Sequence, residues 1–300
     1  MLAALLAIQV FFGIHYLAGK IVLAEIPPRA WAPLRVASAG AVLLAIVLIT
    51  RRRFPREPLN WAKLALFSLF GVAINQVCFV EGLARTTATH SAIINTLIPA
   101  WTLFFAVVLS HEKLTAVKGA SLLLAVAGVL LVIRPERASF SSETFVGDLL
   151  TIVNSLSYGF FLVISKRTMH RVDAVAATAL MFFFATIPIV AYGGRALASL
   201  DLGSVSGAAW AWAAFIVLVP TAGAYVLISW TLARAEASLV AMFVYVQPVI
   251  AAVLGIVFQG ERLTARTALG ALIIFAAVYL AMGLPRPSRA RFASAAPPRP

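Results

Sequence analysis

Ten long stretches without any Asp, Glu, Lys or Arg follow one another along nearly the whole chain. They are residues 1–19, 36–50, 64–80, 86–110, 119–133, 149–165, 174–194, 202–233, 237–260 and 267–285. Crossing about 30 Å of hydrocarbon as a helix takes about 20 apolar residues. Only 12% of the residues are charged, about half the share in soluble globular domains, and water solvates such a surface poorly. The pattern predicts an integral membrane protein.

The stretches are too long and too uniformly apolar for the alternating strands of an outer-membrane barrel. Because backbone polar groups in hydrocarbon need internal partners, we expect helices. The predicted fold is all-α, with ten transmembrane helices over residues 3–24, 31–50, 62–81, 88–110, 116–133, 148–167, 174–194, 208–230, 238–258 and 265–284. Two of the stretches are short, and we expect Arg35, Lys118 and Arg134 to extend them by snorkelling to the interface.

The formal net charge of +13 lies in short links between the apolar stretches, with no continuous basic face. This distribution argues against nucleic acid as a partner and for a topology signal. With ten spans, the excess of Arg and Lys falls on the side that holds both termini, so we predict that both termini are cytoplasmic. The Pro-, Arg- and Ala-rich tail over 285–300 is predicted to be a disordered cytoplasmic segment.

The chain resembles itself at a shift of 149 residues. Leu83-Ala84-Arg85 meets Leu232-Ala233-Arg234, and Pro99 meets Pro248. Between residues 82–133 and 231–282, 15 of 52 positions are identical without a gap. Each copy would hold five spans, an odd number, so the second copy would enter the membrane from the opposite side. Inverted repeats of this kind are typical of secondary transporters, which hold substrate between the two halves.

The paired segments also carry E-[KR]-L-T at equal spacing, as Glu112-Lys113-Leu114-Thr115 and Glu261-Arg262-Leu263-Thr264. With the L-A-R and proline matches, they resemble the two EamA domains of the drug/metabolite transporter superfamily, and bacterial amino-acid exporters within it, the aromatic branch included. The resemblance implies a first repeat over 1–134 and a second over 147–284. It departs where the family commonly has Trp-Gly, since Phe12-Gly13 stands in the first helix and Tyr158-Gly159 in the sixth.

The resemblance implies a secondary transporter that exports amino acids or related small metabolites across the bacterial inner membrane by alternating access. A drug or nucleotide-sugar transporter of the same fold is the alternative. A membrane receptor or enzyme is a further one, but it would need a soluble domain or a reactive constellation. The sequence holds no P-loop, metal-ligand cluster or nucleophile–base set, so we expect no catalysis, cofactor or metal. The expected partners are the lipid bilayer and a small amphipathic solute.

Amides and aromatic rings near the middle of the predicted spans suit a small amphipathic solute better than an inorganic ion. The predicted substrate-binding residues are Asn75, Gln76, Asn95, Trp101, Asn154, Ser155, Tyr158, Tyr245, Gln247 and Lys20. Plain packing of the rings, and anchoring of Lys20 at the interface, stay open as alternatives. Pro99 and Pro248 are predicted gating residues, because a proline inside a helix frees the carbonyl four residues earlier. A fixed kink that aids packing is the alternative.

Ionisable groups inside a span are costly and therefore candidates for function. His15 and His90 are interpreted as hydrogen-bonded packing residues rather than proton carriers. Glu81 and Asp148 fall at the ends of predicted spans, and no Asp or Glu lies near the centre of one. We therefore expect transport without obligatory coupling to protons or sodium.

Overall fold

A computed structural model of the protein describes residues 1–109, 115–133, 142–235, 237–260 and 262–282. Glu112, Glu261 and the tail over 285–300 lie outside these residues. Within them the chain is helical and contains no strand. Among the described residues seven helices are long and apolar enough to cross a membrane, and Val246–Gln259 and Ala265–Ala277 are shorter apolar helices. The predicted all-α membrane fold is confirmed at this level, and the count of ten spans stays a prediction.

Fourteen α-helical segments follow one another through the described residues. They are α1 (Leu2–Leu23), α2 (Pro28–Ile49), α3 (Pro58–Ser68), α4 (Asn75–Arg85), α5 (Ala88–Asn95), α6 (Ile98–Val108), α7 (Ala116–Ile133), α8 (Glu143–Met169), α9 (Ala174–Ala198), α10 (Gly207–Ile216), α11 (Ala224–Leu232), α12 (Ala237–Met242), α13 (Val246–Gln259) and α14 (Ala265–Met282). Several of them join end to end into single membrane-crossing helices.

Local sequence sets several helix starts. Pro28 is the first residue of α2, where the fixed φ of proline suits a helix and its missing N–H costs nothing. The Ser142 hydroxyl accepts from the Phe145 N–H and caps α8, while the Asp173 carboxylate does the same for α9. As a result α2 and α8 begin earlier than the apolar stretches predict.

Two crossings are joined by π-helical segments, which are wider than an α-helix. Leu69–Ile74 links α3 to α4, and Val217–Gly223 links α10 to α11. In the second segment Pro220 removes a backbone donor, a recognised cause of irregular winding. In the first, Gly71 lets the Phe161 ring approach so closely that a Cβ would lie 2.5 Å from it. The two segments fall at nearly the same place in the two halves of the chain.

Two other crossings are broken. α5 and α6 are separated by a turn in which the Leu97 N–H donates to the Ile94 carbonyl at 3.0 Å. α12 and α13 are separated by a 3₁₀ turn over Phe243–Tyr245. The prolines predicted to lie inside continuous helices therefore sit near the beginnings of α6 and α13. Because the break precedes each proline, the irregular backbone spans several residues rather than one lost hydrogen bond.

The helices pack in corresponding pairs across the two halves. α2 packs along α9, α7 along α14, α1 against α10, α11 and α13, and α8 against α3, α4, α5 and α6. A Cβ on Gly159 would lie 2.7 Å from the Trp101 Cβ, and a Cβ on Gly13 would lie 2.7 Å from the Ile250 Cβ. The glycines of Phe12-Gly13 and Tyr158-Gly159 thus allow α1 and α8 to pack closely against the helix that follows each break. The cavity described next lies among these central helices.

Candidate functional site

A cavity with about 440 Å³ of empty space, its open mouth included, lies where α1, α2, α4, α8, α11 and the two broken crossings meet. Its walls combine amides, hydroxyls and rings. They are formed by Phe12, His15, Tyr16, Arg35, Asn75, Gln76, Phe79, Asn95, Ile98, Asn154, Tyr158, Tyr225 and Gln247. Both halves of the chain contribute to it.

One wall is a chain of hydrogen bonds that begins at Asn95. The Asn95 Nδ2 donates to the Tyr16 hydroxyl at 2.9 Å, and that hydroxyl donates to the Gln247 Oε1 at 3.1 Å. The Gln247 Nε2 donates in turn to the Gln9 Oε1 at 2.6 Å. Because the Tyr16 hydroxyl has one proton and gives it to Gln247, Asn95 must approach it through its amino group. The chain ties α5, α1 and α13 together across the cavity.

A second group of bonds surrounds Tyr225. The Gln76 Nε2 donates to its hydroxyl at 2.7 Å, and the hydroxyl has two acceptors in reach, the Asn75 Oδ1 at 2.9 Å and the Gly71 carbonyl at 3.0 Å. The Asn154 Nδ2 donates to the backbone carbonyl of Asn75 at 2.9 Å. These contacts join α11, α8 and the start of α4 just after the first π-helical segment. Its irregular winding is therefore held by side chains that also line the cavity.

Arg35 lies in the cavity wall and not where its place in the sequence predicts. It was expected to snorkel at a membrane interface, but it lies two turns inside α2 and is only 1% exposed. The expectation was wrong because α2 begins at Pro28, so Arg35 lies well inside the helix and its side chain is turned into the packed interior. Its Nε donates to the Thr221 Oγ1 at 2.8 Å, and its guanidinium lies 6.0 Å from the centre of the Phe79 ring. A cation therefore faces a cavity whose walls hold no Asp or Glu among the described residues.

Aromatic rings form the apolar part of the walls. Phe79 packs against His15 with ring centres 4.9 Å apart and against Tyr16 at 5.6 Å. Tyr158 packs against Phe161 at 5.7 Å on another side. His15 is buried and also lines the cavity, and its role as a hydrogen-bonded packing residue stays a prediction. The cavity walls therefore offer both polar groups and apolar ring surface.

Six of the predicted substrate-binding residues meet in this cavity. They are Asn75, Gln76, Asn95, Asn154, Tyr158 and Gln247. The Trp101 Nε1 donates to the Ser155 Oγ at 3.1 Å, and these two side chains, like Lys20, are not part of the cavity walls. The side chain of Tyr245 lies outside the described residues. The substrate contacts themselves stay predictions for all ten residues.

Other residues that line the cavity were not among the predicted binding residues. They include Phe12, Tyr16, Arg35, Phe79 and Tyr225. For Tyr225 a signal was present, because the shift of 149 residues places Gln76 on Tyr225, and the two side chains are hydrogen-bonded. Tyr16 and Phe79 offer no such signal, since they are ordinary apolar-stretch aromatics. Their role depends on which face of the helix is turned inward.

The buried carboxylates lie away from the cavity. Asp148 in α8 is 1% exposed and accepts from the Thr86 hydroxyl at 2.6 Å. Its other oxygen lies 3.5 Å from the His90 Nδ1. Glu81 is held by Arg85 and by the Tyr192 hydroxyl. Among the residues that the structure describes, no group of three or more His, Cys, Asp or Glu side chains could hold a metal ion.

Sequence comparison places the chain among transporters. The model of the EamA-like transporter family matches residues 1–134 and 145–283, and so occurs twice. An uncharacterized transporter of Archaeoglobus fulgidus is 28% identical over 264 residues, which are 87% of this chain and 90% of the relative. The uncharacterized inner membrane transporter YedA of Escherichia coli is 26% identical, over 93% of this chain and 90% of its own.

Structural comparison agrees on the fold. A solved crystal structure superposes with a TM-score of 0.66 at 20% identity and covers 93% of this chain and 95% of its own. At that identity the likeness concerns the architecture of the helices alone. It extends over nearly the full length of both chains.

Proposed function

This chain belongs to the EamA-like transporter family, and from that premise we propose that it exports amino acids or related small amphipathic metabolites by alternating access. The chain is a multi-pass membrane transporter, as its family and its relatives are. The cavity between the central helices carries the proposal. Its amides can bond the polar groups of a small solute, and its rings can cover an apolar part.

The matched irregularities of the two halves support an inverted duplication around this cavity. In each of the broken crossings α5–α6 and α12–α13 the break precedes a proline. Both crossings contribute residues to the walls of the cavity. Discontinuous helices beside a central site are typical of secondary transporters, because unpaired backbone groups are tolerated there and the helices can move. In this proposal the two halves rock against each other and open the cavity to one side at a time.

We propose that transport runs down the substrate gradient without an obligatory ion. The described walls of the cavity hold no carboxylate, and carboxylates are frequent proton and sodium sites in coupled carriers. In liposomes the final substrate level should be the same with and without an imposed pH or sodium gradient. Concentrative uptake under either gradient would contradict this part of the proposal and direct attention to Asp148 and His90.

We further propose a location in the bacterial inner membrane with both termini cytoplasmic. The lone cysteine, Cys78, can be replaced by Ala and a single cysteine placed at exposed Ser199 or exposed His170. These positions lie at opposite ends of α9. An impermeant thiol reagent added to intact cells should label position 199 and leave 170 unlabelled. The reverse pattern would invert the proposed orientation.

The experiment for substrate class is uptake by purified protein in liposomes over the twenty amino acids, sugars and cationic drugs. The expected result is uptake of amino acids, and its near abolition by Gln247→Ala, since loss of a polar contact to a charged group costs about 1.5–3 kcal/mol. Leu123→Ala and Leu272→Ala serve as controls, because these side chains are 75% and 64% exposed on the outer surface of the bundle. Uptake confined to sugars or cationic drugs would favour the alternative transporter classes of the same fold.

A further inference from the structure

We propose that Arg35 binds the carboxylate of the transported solute, and that the cavity selects a free α-amino acid by holding its carboxylate and its ammonium at once. This inference rests on the proposed function and names the substrate class within it. It is carried by three buried polar atoms of the cavity walls that have no hydrogen-bond partner in the structure. One is a cationic donor and two are acceptors.

The donor is the Nη1 of Arg35. The side chain is almost wholly buried, and an arginine in that position is nearly always paired. Its Nε is used by Thr221, but Nη1 has no partner among the described atoms. A guanidinium keeps its charge in a protein and matches a carboxylate with parallel donors. Since the described walls supply no carboxylate, a solute carboxylate would complete the pairing.

The acceptors are the Oε1 of Gln76 and the Oδ1 of Asn95, which are both buried and without a partner. Each amide already uses its amino group on a tyrosine hydroxyl, Gln76 on Tyr225 and Asn95 on Tyr16. The tyrosines therefore turn both carbonyl oxygens away from those bonds and leave them to accept. An ammonium group has three donors and no acceptor, so it suits a pair of amide oxygens.

Other solutes would leave part of this set unsatisfied. A monocarboxylate without an ammonium would leave the amide oxygens unpaired, and an amine without a carboxylate would leave the Arg35 cation unpaired and add a second positive charge. Buried polar groups without partners are costly, so such solutes are disfavoured. The rings of Phe12, Phe79 and Tyr158 remain to cover the side chain of the amino acid.

The alternative for Arg35 is a purely structural tie between α2 and the segment Val217–Gly223. A structural residue would affect all solutes equally, whereas a carboxylate-binding residue changes the preference between solutes. The test therefore measures a ratio of uptake rates, which is insensitive to the fraction of protein that folds.

The probes are L-phenylalanine, L-leucine and L-threonine, each compared with its own carboxamide, in liposomes with purified protein. Wild type should take up at least one amino acid about ten- to a hundredfold faster than its carboxamide, as expected for one charge-assisted contact. Arg35→Gln should bring this ratio close to one, and Arg35→Lys should restore part of it. Arg29→Gln removes an exposed arginine from the same helix and should keep the wild-type ratio.

The outcomes separate the inference from the function on which it rests. If wild type takes up an amino acid and its carboxamide equally, or if Arg35→Gln keeps the ratio, Arg35 does not bind a carboxylate, while amino-acid transport stands. If wild type takes up no amino acid of the full panel but moves sugars or cationic drugs, the proposed function is overturned together with the inference.

Discussion

The Leu-Ala-Arg motif occurs twice in the chain. Its two arginines lie at opposite ends of the molecule and make different contacts there. Arg85 pairs with Glu143 at the beginning of α8, whereas Arg234 lines a groove with Met169 and His170 at its end. Since α8 has 27 residues, these two ends are about 40 Å apart. We call them the Arg85 end and the Arg234 end.

The Arg85 end is rich in carboxylates. Arg85 bonds the backbone carbonyl and the carboxylate of Glu81, and it lies 3.2 Å from the Glu143 carboxylate. Buried Asp148 holds Thr86 in the loop that follows. Glu25 adds a clasp between the loop after α1 and the start of α10, since the Ser206 N–H and hydroxyl each donate to its carboxylate at 2.7 Å.

The Arg234 end has fewer ionic contacts in the residues that the structure describes. Arg234 bonds the Trp230 carbonyl at 3.0 Å and lies over the Trp230 ring at 4.2 Å. The exposed pair of Arg52 with Asp173, at 2.9 Å, is the clasp on this side. The backbone contact from arginine to the carbonyl four residues earlier is common to both ends. The repeat thus preserves the backbone contact at the helix end, while the surrounding side chains make more ionic contacts at the Arg85 end.

The largest effect is expected for Asp148→Ala at the Arg85 end. The change leaves the buried Thr86 hydroxyl without its charged acceptor, and such a loss costs about 3 kcal/mol. Thermal unfolding of the purified protein in detergent measures the loss. Asp148→Asn keeps an acceptor and should lose about 1 kcal/mol. An equal loss for Glu143→Ala, whose side chain is 80% exposed, would mean that burial is not the cause.

A smaller effect is expected from the matched arginines. Arg85→Gln leaves Glu81 and Glu143 without their cation, and for a part-exposed pair this costs about 1 kcal/mol. Arg234→Gln removes an exposed cation–π contact of about 0.5 kcal/mol. The same unfolding measurement compares the two. Equal losses of stability would mean that the contacts of the two arginines contribute equally. A larger loss for Arg234→Gln would reverse the expected order.

The smallest effect concerns the Glu25 clasp and depends on pH. The two donors of Ser206 lower the pKa of the Glu25 carboxyl below its ordinary value near 4.5. A lowered pKa means that the clasp stabilises the folded state above pH 4.5 and loses this contribution as the pH falls through the folded-state pKa. The stability difference between wild type and Glu25→Gln should therefore be fully present above pH 4.5 and should shrink as the pH is lowered below that value. A difference that does not change over this range would contradict the assignment.

Sequence alone accounts for much of the fold, because long uncharged stretches leave a chain few choices besides membrane helices. It also locates both broken crossings, since Pro99 and Pro248 are matched by the repeat. It could not place the breaks themselves, which depend on turns at Leu97 and at Phe243–Tyr245 rather than on the prolines.

The site residues were predictable where the type of side chain was unusual for an apolar stretch. They were not predictable where their role depends on how deeply the helix buries them. Amides such as Asn95 and Gln247 stand out in apolar stretches, and both line the cavity. Arg35 stands at the edge of such a stretch, so its role depends on where α2 begins, and a shift of a few residues moves it from interface to interior. Trp101 is an aromatic residue of the kind expected in the site, but its indole N–H donates to the Ser155 hydroxyl beside the cavity.

Each of the two π-helical segments accommodates one more residue in its winding than an α-helix would. If Leu69–Ile74 tightened to ordinary α-helical pairing, the part of the helix beyond it would rotate by about 100°. Asn75 and Gln76 would then turn out of the cavity, and the apolar faces of α4 would turn in. The polarity of the cavity is therefore a property of helical phase as well as of residue type, and a rotation by one residue, about 100°, can change it without tilting a helix.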